Sequence, residues 1–296
     1  MPIFIVDAAH GDLRLDDFVA RHMPGASASW ARRAIARGEV TVDGRSGKKG
    51  IRVRPGQVVA VASADARMAA PTPEPEAALS VLHVDDALVA VDKPAGISSH
   101  PLRAGERGTI ANALCARYPE CAEASEDPRE GGLAHRLDRG TSGVLLAARG
   151  RTAWHGLRAA LGEAACEKVY LAEVVGRLAA GSATGSIGRV GRRGAHVRIE
   201  RGRRPLPART DWEVVQVRAS TTLIRARLHA GRAHQVRAHL AAAGHPVVGD
   251  DIYGAEAAPA PGACDLHLHA AAVRFVHPAT GQELIVRAPP PPWAQA

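Results

Sequence analysis

Pro71, Pro73 and Pro75 alternate with Thr72 and Glu74 in DARMAAPTPEPEAA, residues 65–78, a stretch that can continue neither a helix nor a central strand. Each proline lacks the amide hydrogen that a helix turn or a β-ladder uses, and its ring fixes φ. The chain therefore divides here, into a front unit of residues 1–64 and a back unit of residues 79–296 joined by a 65–78 linker. A length of 296 residues suits two domains, the larger with a sizeable core. Aromatic residues make up only 3%, so that core has to be built from Ala, Val, Leu and Ile, and packing alone explains few of the Tyr and Trp residues.

The formal net charge is +8 and the pI about 9.9. A basic balance points to a polyanionic partner, of which nucleic acid is the commonest. Lysine occurs only at Lys48, Lys49, Lys93 and Lys168, so almost all positive charge is arginine, a skew that codon bias also produces. Cys115, Cys121, Cys166 and Cys264 form no CxxC pair and no metal-ligand spacing. Reduced thiols, a start (MPIFIVDAAHGD) without a basic segment and apolar run, and no apolar stretch near the ~20 residues of a membrane helix lead us to expect a cytoplasmic protein with no membrane partner.

In the front unit, IFIV at 3–6 predicts a short strand, and Leu13, Leu15, Phe18 and Val19 mark a first helix. Residues 28–37, ASWARRAIAR, form a second, ended by Gly38. Val40 to Val42 run into an Asp43-Gly44 turn, Ile51 and Val53 suggest a strand, and Pro55-Gly56 turns into another at 58–61. In the back unit, strands at 81–84 and 88–91, a helix at 110–117, a polar loop at 120–130, a buried strand at 144–148 and a helix at 152–164 are expected. KVYLAEVVG then alternates, with Tyr170, Ala172 and Val174 on one face, and hairpins, WEVVQV, TLIRARL, a helix stopping at Gly244 and two closing strands follow. Strands outnumber helices and many are sequence neighbours. The expected class is α+β, the back unit carrying a mixed, largely antiparallel sheet flanked by helices.

Two segments concentrate chemistry. In GGLAHRLDRGTSG, Arg136 and Arg139 bracket Asp138 in a glycine-flanked loop just before an apolar strand, which anchors the loop on a rigid element. Arginine beside a carboxylate keeps it ionised, as a nucleophile or base requires, and the same residues also describe a structural ion pair closing a loop. In HAGRAHQVRAHLAAAGHPVVGDDIYG, Arg232 and Arg237 flank the turn into a helix, where one suits a phosphate and the other a carboxylate. The closing Gly249-Asp250-Asp251 suits a simple turn. Arg189, Arg192, Arg193, Arg198, Arg201, Arg203, Arg204 and Arg209, opposed only by Glu200, form an arginine–glycine arm suited to phosphate.

RLDDFV, RRAI, GEVTVDG and RPGQVV resemble the S4 RNA-binding domain. Family members often carry Arg or Lys where this chain has Ala28 and Trp30, so the resemblance moves phosphate contact to Arg32, Arg33 and Lys48, with Arg192 and Arg193 of the arm as further RNA contacts. The back unit resembles the pseudouridine synthases with an HRLD-x-x-TSG signature that act on large-subunit ribosomal RNA and tRNA. The resemblance runs through Asp85–Pro101 with its Lys-Pro-x-Gly element, HRLDRGTSGVLLAA, EKVYLAEVVG, GRRPLPARTDWEV, GRAHQVRAHLAAAGHPVVGDDIYG and LHLHAAAVRFVHPATG. It implies Asp138 as the catalytic aspartate, Tyr170 as the tyrosine against the target base and Arg237 as the aspartate's partner, with Arg232 the alternative. It further implies that Arg136 helps hold a flipped nucleotide, and that Leu228 or Val236 supplies an apolar wall.

The reaction so implied breaks N1–C1′ of uridine, rotates the base and joins C5 to C1′, and it needs no cofactor or metal. A carboxylate serves as nucleophile or as base, and the resemblance leaves open which. The target base has to be flipped out of its stack, which costs a few kcal/mol and gives an aromatic residue a reason to be present. A rival reading makes His267 and His269, two apart on a strand, metal ligands, with His135, His234, His239 and His245 also available. A second rival is a non-catalytic RNA-binding or ribosome-assembly protein. The expectation carried forward is a monomer acting on 23S ribosomal RNA in preference to tRNA.

Overall fold

Asp43 and Gly44 both have positive φ, 51° and 74°, as an Asp-Gly hairpin turn requires. They join β2 (Val40–Val42) to β3 (Arg45–Ser46) in a small antiparallel sheet with β1 (Ile3–Ile5) and β4 (Val58–Val61), in the order β1-β4-β2-β3. Two helices cover it, α1 (Leu15–His22) and α2 (Ala28–Ala36). Asp16 and Asp17 begin α1 and Arg21 and His22 end it, which complements the helix dipole. Leu15, Phe18 and Val19 of α1 and Trp30, Ala31, Ala34 and Ile35 of α2 share one core with Val40, Val59 and Val61. Trp30, at a position expected from the S4 resemblance to be basic, is thus a core residue. The strand expected at Ile51 and Val53 is only an isolated bridge between Arg14 and Arg52. Its hydrogen bonds go to the chain entering α1, from the Val53 amide to the Leu13 carbonyl and from the Leu15 amide to that of Ile51.

This computed structural model describes residues 1–23, 26, 28–62, 70–103, 105–163, 165–190, 196–229, 231–254 and 266–295, without the side chains of residues 29, 33, 196, 203 and 204. Arg192, Arg193 and Cys264, and residues 65–69 of the linker, lie outside the described residues, as does the side chain of Arg33.

The back unit runs β5 (Ser80–Val84), β6 (Leu88–Lys93), α3 (Ile110–Arg117), β7 (Ser142–Ala148), α4 (Arg151–Gly162) and β8 (Glu167–Val175). It continues through β9 (Gly181–Val190), β10 (His196–Ile199), β11 (Arg203–Val217), β12 (Thr221–Leu228), α5 (Gln235–Ala242), β13 (Leu268–Val276) and β14 (Glu283–Arg287). All ten strands join one sheet, β10-β9-β11-β12-β8-β13-β7-β6-β5, with β14 on β13. Among the described strands only β13 and β7 pair in parallel. The class is α+β with a mixed, mainly antiparallel sheet, as the sequence predicts.

The apolar runs of β6 and β7 follow from burial on both faces. Val89, Val91, Leu145 and Ala147 pack under Ile110 and Leu114 of α3. Leu88, Ala90, Val144 and Leu146 meet Trp154 and Leu157 of α4 on the other side. Fully burying one such leucine contributes about 1.5–3 kcal/mol. The expected polar loop at 120–130 is instead two 3₁₀ turns, Pro119–Glu123 and Pro128–Glu130, each begun by proline, with Cys121 buried.

Candidate active site

The loop before β7 is clamped by its backbone on both sides of Asp138. The Ser99 hydroxyl donates to the Leu137 carbonyl (2.9 Å) and accepts from the Leu137 amide (3.1 Å). Lys93, at the end of β6 and fully buried, donates to the carbonyls of Pro94 (2.8 Å), Ile97 (2.7 Å) and Arg139 (3.1 Å). Burial pulls its ammonium down to about 8, against the opposing pull of Asp138. Arg139 returns the contact, its Nε donating to the Gly96 carbonyl (2.7 Å). The Thr141 amide donates to the Asp138 carbonyl and closes the turn (3.1 Å). His135 accepts the Leu146 amide at Nε2 (3.1 Å) and is held neutral, burial pushing its pKa down to about 3. Its part is to seat the loop on β7.

Thus held, the Asp138 side chain is about a quarter exposed. Its Oδ2 accepts from Arg237 Nη1 at 3.1 Å, and its Oδ1 lies 3.6 Å from His234 Nε2. Arg237, buried in the first turns of α5, also makes a two-pronged pair with Asp250, from Nε to Oδ2 (2.8 Å) and from Nη2 to Oδ1 (2.7 Å). Asp250 has no exposed side-chain surface, and its Oδ1 also accepts the amides of Ile252 and Tyr253, both at 3.0 Å. Burial pushes the Asp250 pKa up, but the Arg237 guanidinium more than reverses this, and the net shift is downward. The Arg237 pKa is raised: Asp250 and Asp138 overcome its own burial. Gln235 sets the start of α5, donating to the Arg209 carbonyl (2.9 Å) and the Thr210 hydroxyl (3.1 Å).

Tyr170 lies in the middle of β8, opposite Ala226 of β12 and Ala270 of β13. Ala270 in turn faces Gly143 of β7. The half-buried phenol is thus flanked along the sheet by small residues. Gly143 has φ +105°, and a Cβ there would lie 2.2 Å from the Ala270 carbonyl oxygen, so no side chain fits. The Tyr170 ring packs against two clusters, one holding Leu137 and the other Val236 and Leu228, which seats it between the aspartate loop and α5. Burial, and then the charge of Asp138, raise its pKa. Among the described residues its hydroxyl has no hydrogen-bond partner.

Asp138, Tyr170 and Arg237, far apart in sequence, are therefore brought together. Leu228 and Val236 are core residues beneath Tyr170, while Leu266, which packs against Gly140, is the apolar side chain beside the loop itself. Arg232 does not reach the aspartate: it is exposed and donates to the Pro207 carbonyl (3.3 Å). Of the two arginines in that segment, Arg237 is the one that meets the carboxylate. The turn at Gly249-Asp250-Asp251 is more than a turn, since Asp250 is the chief partner of Arg237. His267 Nδ1 donates to the Glu173 carboxylate (2.7 Å) and its ring stacks on Trp293, and His269 is bonded to the Ser142 hydroxyl (2.9 Å).

Surface arginines fall into two groups. Arg225, Arg227 and Arg274 are paired with Glu213, Glu167 and Glu283. Arg136, Arg189, Arg198 and Arg201 are exposed and form no ion pair among the described residues. Glu200, the one acid in the arginine-rich hairpin, is turned to the Ser186 amide (2.5 Å). In the front unit Lys48 is exposed, whereas Arg32 is bound to the buried carboxylate of Asp16 (3.2 Å).

A sequence model of the RNA pseudouridylate synthase family matches residues 87–242, and one of the S4 domain matches residues 13–59. An RNA pseudouridine synthase of Chloroflexus aurantiacus is 36% identical over 290 residues, covering 94% of this chain and 86% of that one. The ribosomal large subunit pseudouridine synthase D of Nitrosomonas europaea is 32% identical, covering 94% and 81%. Among solved structures, human RNA pseudouridylate synthase domain containing 1 superposes with a TM-score of 0.59 at 27% identity, over 75% of this chain and 89% of that one.

Proposed function

The chain belongs to the RNA pseudouridylate synthase family, and on that premise we propose that it isomerises uridine in large-subunit ribosomal RNA with Asp138 as the reacting carboxylate. The observation that carries this reading is the pairing of Asp138 Oδ2 with the buried Arg237 while Oδ1 remains outside that pair. An arginine held rigidly by Asp250 gives the aspartate a fixed cationic partner in a partly dry site, where an unpaired carboxylate would be costly. Tyr170 offers its ring to a flipped uracil, a contribution of about 1–3 kcal/mol by analogy with aromatic platforms for single strands. Its phenol, with a raised pKa, stays protonated and offers a bound base a hydrogen-bond donor, not a base for the proton lost from C5.

Arg136, next but one to Asp138 and exposed, suits the strand around the flipped nucleotide. Arg189, Arg198 and Arg201, with Arg232 at the start of α5, offer further phosphate contacts, and Lys48 and Arg32 do so from the S4 domain. Ribosomal RNA is favoured over tRNA because relatives aligned along almost the whole chain are named for the large ribosomal subunit. In this reading the protein works as a cytoplasmic monomer. The described helices include none long and apolar enough to cross a membrane.

Tritium release from transcribed large-subunit RNA carrying 5-³H-uridine tests the assignment. Asp138→Asn is expected to cut single-turnover rates by more than about a thousandfold with RNA affinity within about twofold. Arg136→Ala is expected to weaken RNA binding and lower the log–log salt slope by about one. An active Asp138→Asn enzyme would refute the role given to Asp138.

A further inference from the structure

Tyr253 lies in the segment that follows Asp250, and its ring sits under the Arg237 guanidinium, 5.4 Å from ring centre to Cζ. Its hydroxyl oxygen accepts the Val197 amide of β10 (3.0 Å) and is 3.0 Å from His234 Nδ1. A phenol has one proton to give. With the oxygen already accepting from Val197, that proton has His234 Nδ1 as its acceptor within reach. Nδ1 then carries a lone pair, and the neutral imidazole bears its hydrogen on Nε2. This is the nitrogen that lies 3.6 Å from Asp138 Oδ1. Among the described residues His234 is also one of four non-glycine residues with positive φ, +52°, at the cap of α5. Such a backbone is uncommon outside glycine and tends to persist where surrounding contacts enforce it.

We propose that His234 is a positioning residue for the aspartate: Tyr253 fixes its tautomer so that Nε2–H faces Asp138 Oδ1, and the carboxylate is held by a donor at each oxygen, Arg237 at Oδ2 and His234 at Oδ1. The 3.6 Å separation is longer than a hydrogen bond. The donor therefore leaves Oδ1 accessible in the free protein and closes on it as charge is redistributed during the reaction. Each carboxylate oxygen has two lone-pair directions, so Oδ1 keeps one for the nucleotide while the other is directed at the imidazole. The relay begins at Val197 of β10, which forms a hairpin pair with β9. Seating of that hairpin is thereby linked to the setting of Asp138 through two side chains. The hairpin also packs on α5 through Ile187, Val197, Ala208 and Ala238, with Tyr253 against that cluster.

This inference rests on Asp138 as the reacting group, so Asp138→Asn is run beside the test variants. His234→Leu and His234→Gln place side chains unbranched at Cβ on the same positive-φ backbone, and only glutamine returns an N–H at the reach of Nε2. Melting curves establish that each variant is folded. With 5-³H-uridine-labelled large-subunit RNA, His234→Leu is expected to lower kcat about 10- to 100-fold, the range of one hydrogen bond to a charged group, with KM within about twofold. His234→Gln is expected to recover most of that loss. Tyr253→Phe, which keeps the ring under Arg237, is expected to lower kcat about tenfold in the native background and to have no further effect in His234→Leu. Equal impairment of the leucine and glutamine variants, or native kcat in His234→Leu, would overturn the relay while an inactive Asp138→Asn left the aspartate's role standing. An active Asp138→Asn would instead remove the reading beneath it.

Discussion

Replacing Asp250 by asparagine would remove one negative charge without changing shape, at a carboxylate with no exposed side-chain surface paired to a guanidinium that is 5% exposed. Removing one partner of a buried pair costs about 3–5 kcal/mol, because the other charge is left without compensation. Asp138 remains 3.1 Å from Arg237, and the asparagine oxygen still accepts hydrogen bonds, so the lower end, about 3 kcal/mol, is the better figure here. For a domain of this size that corresponds to a fall in Tm of about 6–12 °C at neutral pH. The pH dependence follows from the direction of the shift. The Asp250 pKa is depressed in the fold below the ordinary aspartate value of 3.8, so its stabilisation is complete above that value and is lost as pH falls through the folded pKa. The gap in Tm between native and variant protein should therefore be constant above about pH 5 and narrow below about pH 4. Activity should fall as well, since Arg237 would then lean wholly on Asp138 and hold its electrons more tightly. Thermal melts from pH 7 to pH 3, with single-turnover tritium release at pH 7, measure both effects. A variant melting within about 1 °C of the native protein at pH 7, or a gap that does not change in acid, would refute the argument that Asp250 is the principal counter-ion.

Two further outcomes follow from the loop clamp and its sheet. Gly143→Ala would drive a Cβ to 2.2 Å from the Ala270 carbonyl oxygen at a φ of +105°, and since the obstacle is backbone, a cost above about 4 kcal/mol is expected, read as loss of soluble protein or collapse of Tm. Lys93→Met would leave the Pro94 and Ile97 carbonyls without their donor and the Arg139 carbonyl with the Gly96 amide alone, lowering stability by about 3 kcal/mol at neutral pH. The folded Lys93 pKa of about 8 lies below the unfolded value, so the unfolded chain binds more protons between them, and denaturant titrations should show the native protein gaining on the variant as pH rises from about 8 to about 10.

The parts of the site visible in the sequence were those carried by local pattern. An aspartate bracketed by Arg136 and Arg139 before an apolar run marks a loop fixed on a strand, and alternation in KVYLAEVVG places Tyr170 on the face it occupies. The periodicity of β6, β7 and α3 is equally local, and their positions follow expectation closely. Contacts between distant segments had no such signal. Ser99 and Leu137 are 38 residues apart, Lys93 and Arg139 46, and nothing in either segment names the other. Asp250 sits in a turn-forming sequence, and its pairing with Arg237 depends on the return of the chain after α5. Ile51 and Val53 show the converse error: β-branched residues in alternation suggested a strand, but the Val53 amide and both carbonyls are taken by the chain entering α1, and the Ile51 amide turns back to the Lys48 carbonyl.

The charge arrangement connects the site to its substrate. At the centre, Asp138, Asp250 and Asp251 face the single guanidinium of Arg237, so carboxylates outnumber cations there although the whole protein carries a formal charge of +8. Lys93, behind the loop, gives its donors to backbone carbonyls. Among the described residues, Arg136, Arg189, Arg198 and Arg201, exposed and without an ion pair, lie on the aspartate loop and on the hairpin that touches Tyr253. A polyanion is drawn to such a rim by its phosphates and repelled from such a centre. A pyrimidine base is neutral and pays no such penalty. On the function proposed above, the field would sort the parts of a nucleotide, holding the backbone outside while a flipped base enters towards Tyr170. It also accounts for the two-pronged Asp250 pair: without that second carboxylate, Arg237 would itself be a phosphate site in the place where the base has to go.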